Sequence, residues 1–177
     1  GHRFAQQVQN MAILWTNTLN SDDLDDLAEL LLAIIASPAS IGFLADTDFP
    51  TARAYWQALD LTHKKLAIVR DDHGRIIATV QLNLATAGNS SHRGEIAKLM
   101  VHPRCQGQGW ATSLLNAAVT TARDAGLSLL VLDTLSDSPA ARLYEHLGWH
   151  AAGSIPNYAS LPNGELAATT YYYLPIS

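Results

Sequence analysis

The spacing of apolar positions changes along the chain, and each change marks an element. "AILWTNTL" near the start reads as a first strand. Leu24, Leu27, Leu31, Ile34 and Ile35 then recur at helical spacing, so a helix buries one face there. Ser21 is the expected N-cap, and Asp22, Asp23, Asp25 and Asp26 put negative charge at the positive end of the helix dipole. "SPASIG" is expected to end that helix. Asp48 and Pro50 open a second one through "TARAYWQALD". "KLAIVR", the turn "DDHG" and "RIIATVQLNLA" form a hairpin by pattern, and "GEIAKLMV" is the next strand. A glycine loop follows, then a helix from about Gly109 to Ala125 stopped by Gly126. "LSLLVLD" reads as a buried strand. "SPAARLYEHLG" is a helix with Pro139 near its start and Gly148 at its end. "WHAAGSIPNY", the turn "LPNG" and "ELAATTYYYL" make a closing hairpin.

The order is strand, two helices, three antiparallel strands, helix, strand, helix, two strands. That is a mixed α/β domain whose centre is a strand–helix–strand crossover, expected to be parallel and right-handed. At 177 residues it is read as a single domain, 1–177, with Gly1 and His2 set aside as a cloning remnant.

Composition narrows the function. The net charge is −5 with no basic run, which argues against a nucleic-acid partner. No apolar run reaches the roughly 18 residues of a membrane span, and "GHRFAQQVQN" lacks the pattern of a secretory leader. The single cysteine, Cys105, forms no internal disulfide, so a cytoplasmic setting is expected. The histidines are scattered without ligand spacing, and no metal is expected.

The chemistry concentrates in "KLMVHPRCQGQGWATSLL", Lys98 to Leu115. A strand running through glycines into a helix exposes unpaired amides at the positive end of the helix dipole, a design suited to phosphate. Gly107, Gly109 and Ala111 leave room for a phosphate to approach. Two readings compete. "GQGWAT" supplies two glycines of a dinucleotide fingerprint, with Asp133 ending the next strand as the ribose acid of an NAD(P)-dependent oxidoreductase. Against it, Thr112 replaces the third glycine, the approach through His102–Gln106 is long, and little chain follows Asp133.

The other reading is an acetyl-CoA loop. "V-x-P-x-x-Q-G-Q-G-W-A" resembles the signature of the GNAT superfamily of N-acetyltransferases, with Gln106, Gly109 and Ala111 filling its core pattern and Val101 and Pro103 in place. "ARLYEHLGW" resembles the family's second landmark. A narrower likeness covers "SIGFLADTDFPTARAYW", "LDTLSDSPAARLYEHLGW" and "LPNGELAATTYYY". These resemble the tabtoxin resistance protein, a GNAT enzyme that acetylates a β-lactam amino-acid toxin.

The resemblance implies the GNAT acyl-CoA N-acyltransferase fold: a mixed, mostly antiparallel sheet with a splayed parallel strand pair and about four flanking helices. It implies acetyl-CoA as cosubstrate and a small-molecule primary amine as acceptor, amino-acid-like or antibiotic-like, with direct transfer in a ternary complex. The backbone of Met100 and Val101 would pair with the pantetheine arm like an added strand, and a backbone N–H among Leu99, Met100 and Val101 would be the oxyanion donor. The amides of Gln106, Gly107, Gln108, Gly109, Trp110 and Ala111 would hold the pyrophosphate. Tyr144 matches the tyrosine that protonates the leaving sulfur, at a place near the start of the last helix that would aim its phenol at the splay. Glu95 and Asp133 are the candidate bases, or together hold the acceptor's ammonium. Asp137 stands where many members carry asparagine; a carboxylate accepts but does not donate, which leaves its contact to CoA open. Phe43, Tyr55, Trp56 and Tyr158 are candidate acceptor-pocket aromatics, with core packing the expected role of any single one. Tyr172 is expected to face opposite to Tyr171 and Tyr173. No nucleic acid or membrane partner is expected, and the protein is read as a monomer or homodimer. A non-catalytic acyl-CoA-binding module remains a third reading.

Overall fold

The computed structural model describes residues 8–37 and 42–177. The seven expected strands form one sheet: β1 (Ile13–Thr16), β2 (Lys64–Arg70), β3 (Ile76–Leu84), β4 (Arg93–Val101), β5 (Leu129–Leu135), β6 (His150–Ser160) and β7 (Leu166–Pro175). Their order is β1-β2-β3-β4-β5-β7-β6, antiparallel everywhere except between β4 and β5. A doubly wound dinucleotide sheet is built from parallel strands, so one parallel pair removes the oxidoreductase reading.

Four labelled helices cover the sheet: α1 (Ser21–Ile35), α2 (Phe49–Gln57), α3 (Trp110–Asp124) and α4 (Pro139–His146). The N-cap of α1 is Asn20 rather than Ser21. The Asn20 side chain accepts from Asp23 N at 2.8 Å while Asp23 accepts from Asn20 N, a capping box that a single-residue cap motif does not reveal. The acidic run behind it is a clasp as well as a dipole match. Asp23 pairs with Arg70 at 2.9 Å, Asp25 with Arg53 at 2.7 Å, and Asp26 with Arg75 at 2.7 Å. These pairs tie α1 to α2 and to the β2–β3 hairpin. Asp48 caps α2 through Thr51 N, and Ser138 caps α4 through Ala141 N. The expected stop of α1 at "SPASIG" falls largely on residues 38–41, outside the described residues.

Each sheet face has its own core. One joins Ile96, Val101, Leu130, Leu132, Tyr144 and Trp149 to the apolar face of α3. The other joins Leu66, Ile68, Ile76 and Met100 to α1 and Trp56. Strand β5 is not buried throughout: Leu130 and Leu132 are covered, whereas Asp133 is exposed. Gly94 lets β4 approach β5 where they pair, because a Cβ there would lie 2.9 Å from Leu127 Cδ1 and 3.2 Å from Leu130 Cδ2. No helix among the described residues is long and apolar enough to cross a membrane.

Candidate active site

Strands β4 and β5 pair only at Arg93↔Leu129, Gly94↔Leu130 and Glu95↔Val131, then part. The residues of β4 beyond Glu95 keep β3 on one side and have no strand among the described residues on the other, so their second edge is open to an extended ligand. The parting coincides with a bulge. Thr79 pairs with Met100 but Gln81 with Ala97, so one extra residue stands on β4, and Lys98 takes a left-handed φ of 52°. The extra residue flips the strand's phase. Ile96 belongs to one core and Met100, four residues on, to the other, although strict alternation would put both on one face. Met100 and Val101 bury their side chains, and Leu99 packs partly buried beside the first core. What these residues can offer a ligand is backbone.

After Val101 the chain turns through Pro103–Cys105, and the Gln106 carboxamide donates back to Val101 O at 3.1 Å, bracing the loop. Gln106 N turns inward toward Pro103 O at 3.5 Å. Among the described residues, the amides of Gly107, Gln108 and Gly109 find no partner, and the first turn of α3 at Trp110 and Ala111 has no side-chain cap. Gly107 and Gly109 hold φ of 78° and 87°, a conformation that favours glycine and directs successive N–H groups to one side. This row of free amides at a helix N-terminus fits a pyrophosphate. The sequence did not point to Gln9, which reaches this loop from the N-terminal side. Its Nε2 donates to Gln108 O at 2.7 Å and its Oε1 accepts from Ser113 Oγ at 2.7 Å.

Between the parted strands lies a cavity of about 300 Å³ whose lining includes Glu95, Lys98, Asp133, Thr169, Tyr158 and Gly42. The two expected carboxylates therefore share one space. Asn83, opposite Glu95 on β3, donates to its Oε1 at 3.4 Å, and its own buried Oδ1 has no partner among the described residues. The Thr169 hydroxyl lies 2.8 Å from Asp133 Oδ2 and 3.0 Å from Thr134 O, with one proton to share. Asp133 is thus steadied across β7 rather than capping a local turn. Lys98, not anticipated as a site residue, is half-buried here; burial pushes its ammonium pKa down, while Asp133 and Glu95 pull it up. Its signal in the sequence is a charge at a position that alternation would have buried beside Ile96 and Met100.

Among the aromatics, Tyr158 lines the cavity, and its hydroxyl meets that of Tyr171 at 2.7 Å. Phe43 packs edge-on to Tyr55 and lies 5.8 Å from Lys98 Nζ. Trp56 is core. Tyr172 is buried and donates to Glu145 at 3.0 Å, while Tyr171 faces the other way, as alternation requires. A larger concavity of about 630 Å³ near Leu19 and Asp60 is lined by one of the expected aromatics, Trp56, and by none of the expected catalytic or cofactor-binding residues. Its carboxylate, Asp60, is occupied with Thr62 N at 2.9 Å.

Tyr144 is not near the start of its helix, because Ser138 caps α4 at Pro139 and leaves Tyr144 in its second turn. It does not line the cavity. It is 5% exposed, between Trp149 and Tyr172 at ring-centroid distances of 5.8 and 6.0 Å, on the sheet face covered by α3. Its hydroxyl makes no hydrogen bond among the described residues, and burial pushes its pKa up to about 12. Asp137 is exposed, with a left-handed φ of 57° that its short polar side chain tolerates, and its carbonyl accepts from Arg142 at 3.3 Å. Cys105 is free and half-buried. Among the described residues no group of three His, Cys, Asp or Glu side chains could hold a metal.

The sequence model of the acetyltransferase (GNAT) family matches residues 31–149. An N-acetyltransferase from Staphylococcus aureus Mu50 superimposes with a TM-score of 0.76 at 14% identity, over 93% of this chain and 99% of that one. YncA from Salmonella typhimurium, solved with its cofactor acetyl-CoA, gives 0.72 at 20% identity, over 94% and 95%. The ribosomal-protein-S18-alanine N-acetyltransferase of Escherichia coli gives 0.70 at 20%, over 93% and 94%. The family match spans both landmarks, the glycine loop and the Tyr144 helix. This chain belongs to the acetyltransferase (GNAT) family and is an acetyl-CoA-dependent N-acetyltransferase.

Proposed function

We propose that the protein acetylates the primary amine of a small, amino-acid-like molecule in the cavity between β4 and β5. The observation that carries this reading is the placement of Glu95 and Asp133 in one cavity of about 300 Å³ beside the unpaired edge of β4. That volume sits at the low end of ligand pockets and suits a metabolite better than a folded polypeptide. The narrower likeness to an enzyme acting on an amino-acid toxin favours the same class.

In this account the backbone of Leu99, Met100 and Val101 receives the pantetheine arm as an added strand, and the amides from Gly107 to Ala111 hold the pyrophosphate. Gln106 contributes mainly by bracing the loop. Asp137 has its backbone engaged and its side chain in solvent, so its part is at most peripheral. Glu95 and Asp133 hold the incoming ammonium, and one of them accepts its proton, directly or through water. A bulge N–H near Leu99 steadies the oxyanion as the amine attacks, and such a donor is worth about 10²–10³ in rate. Tyr144 stays protonated at neutral pH, with its hydroxyl unpartnered, and donates to the departing sulfur. A phenol of pKa about 12 is a weaker acid than a thiol near 8.5, so it steadies the thiolate by a hydrogen bond rather than surrendering its proton.

Thiol release with acetyl-CoA and a panel of small amines tests the reading. Acceptor-dependent release is expected, with Tyr144→Phe slowing it while acetyl-CoA binding persists. No release with any small amine, alongside acetylation of a protein N-terminus, would replace the proposed acceptor class.

A further inference from the structure

The acceptor cavity contains a charge that amine transfer does not require. Lys98 lines it together with Glu95 and Asp133, and its backbone is held in the left-handed region that residues with a Cβ rarely adopt. Such strain persists where the surrounding structure enforces it, and it clusters at functional sites. The bulge is what turns Lys98 out of the buried phase of β4 and into this space.

The Lys98 ammonium has no carboxylate within ion-pair distance among the described residues, whereas Arg53, Arg70 and Arg75 are each paired. The Phe43 ring centre lies at 5.8 Å, and a Cβ on Gly42 would stand 3.3 Å from Nζ. Glu95 and Asp133 attract it from the two parted strands, and Lys64 on β2 repels it. A half-buried ammonium without a bonded anion favours a ligand that brings one.

We infer that Lys98 determines acceptor specificity by binding a carboxylate of the acceptor, so that the preferred substrates are small molecules carrying both an amine and a carboxylate. The cavity then presents two carboxylates to the amine and one ammonium to the acid, the complement of an amino-acid zwitterion. This rests on the reading of the cavity as the acceptor site.

The test compares free L-amino acids with their primary amides, which keep the amine and lose the negative charge, and with plain alkylamines. Thiol release is measured for the wild type, Lys98→Met and Lys98→Arg. An acetyl-CoA thermal shift checks that each variant folds and binds donor. The wild type is expected to favour acid over amide by about 10–100-fold in kcat/KM. In Lys98→Met that ratio collapses to within about threefold, chiefly through KM for the acid, and Lys98→Arg retains most of it. Equal use of acid and amide by the wild type overturns the inference without any variant. So does an equal loss on both acceptors in Lys98→Met. If amides and alkylamines are acetylated but acids are not preferred, the cavity reading stands and the Lys98 inference falls. If no amine releases thiol although acetyl-CoA stabilises the protein, both fall.

Discussion

The proposed donor cradle and the proposed acceptor cavity meet at β4 but are built from different materials. The cradle is backbone: free amides from Gly107 to Ala111, two glycines with φ near 80°, and the open edge of a strand whose side chains are largely buried. The cavity is side chains: Glu95, Lys98 and Asp133, steadied by Asn83 and Thr169 from neighbouring strands. A backbone site recognises the part of the ligand that every member of the family shares. It tolerates change in most side chains but not in the two glycines. A side-chain site can be re-specified residue by residue without disturbing the fold. The same strand serves both because the bulge at Lys98 changes its phase midway.

The contrast breaks most sharply at Gly109. Gly109→Glu puts a carboxylate among the free amides and a side chain at φ 87°, so donor binding should vanish. Acetyl-CoA at 100 times the wild-type Kd, which stabilises the parent by about 2.7 kcal/mol, should then leave the melting temperature unmoved. Retained stabilisation would mean the cradle is not where the donor binds.

The next effect belongs to Tyr144, on the sheet face away from the carboxylates. Below pH 10 its phenol is protonated whether the chain is folded or not. Between pH 10 and about 12 only the unfolded chain loses that proton, so stability falls by roughly 3 kcal/mol across the window. Tyr172, raised for the same main reason, loses stability there too. Tyr144→Phe should therefore flatten, but not abolish, the alkaline fall in melting temperature. An unchanged pH profile would show that the Tyr144 hydroxyl is not desolvated.

Gly94 sharpens the comparison at the point where the two strands still touch. Gly94→Ala forces a methyl against Leu127, Leu82 and Leu130 and should cost about 1–3 kcal/mol in urea unfolding. A neutral result would mean the paired end of β4 and β5 yields easily. The smallest effect is expected at Asp137. Asp137→Asn, exposed and equally at ease in the left-handed region, should change stability and acetyl-CoA affinity by less than about 0.5 kcal/mol.

These materials also explain what could be read in the sequence. The strand and helix order was legible because apolar periodicity is local, and the cradle was legible because a row of bare amides needs glycine at fixed spacing. Glu95 and Asp133 were legible as candidates, and the sheet brings them to one cavity. Lys98 was not, because its direction depends on a bulge against Val80 that arises only when β3 and β4 pair. Gln9 was missed for a related reason: its contact with Gln108 and Ser113 spans about a hundred residues of sequence and leaves no local pattern. The Asn20 cap was overlooked in favour of Ser21 because adjacent residues with equal capping tendency are separated only by backbone geometry. The helix start at Pro139 is legible from the sequence, but Tyr144, five residues on, lies in the second turn rather than near that start.

The central claim is that transfer occurs across the gap between β4 and β5, with Glu95 and Asp133 handling the amine. The most direct measurement is kcat for thiol release by Glu95→Gln/Asp133→Asn under saturating acetyl-CoA and acceptor. The account predicts a fall of about 10²–10⁴ with acetyl-CoA affinity unchanged. A double variant that turns over at the wild-type rate would contradict it.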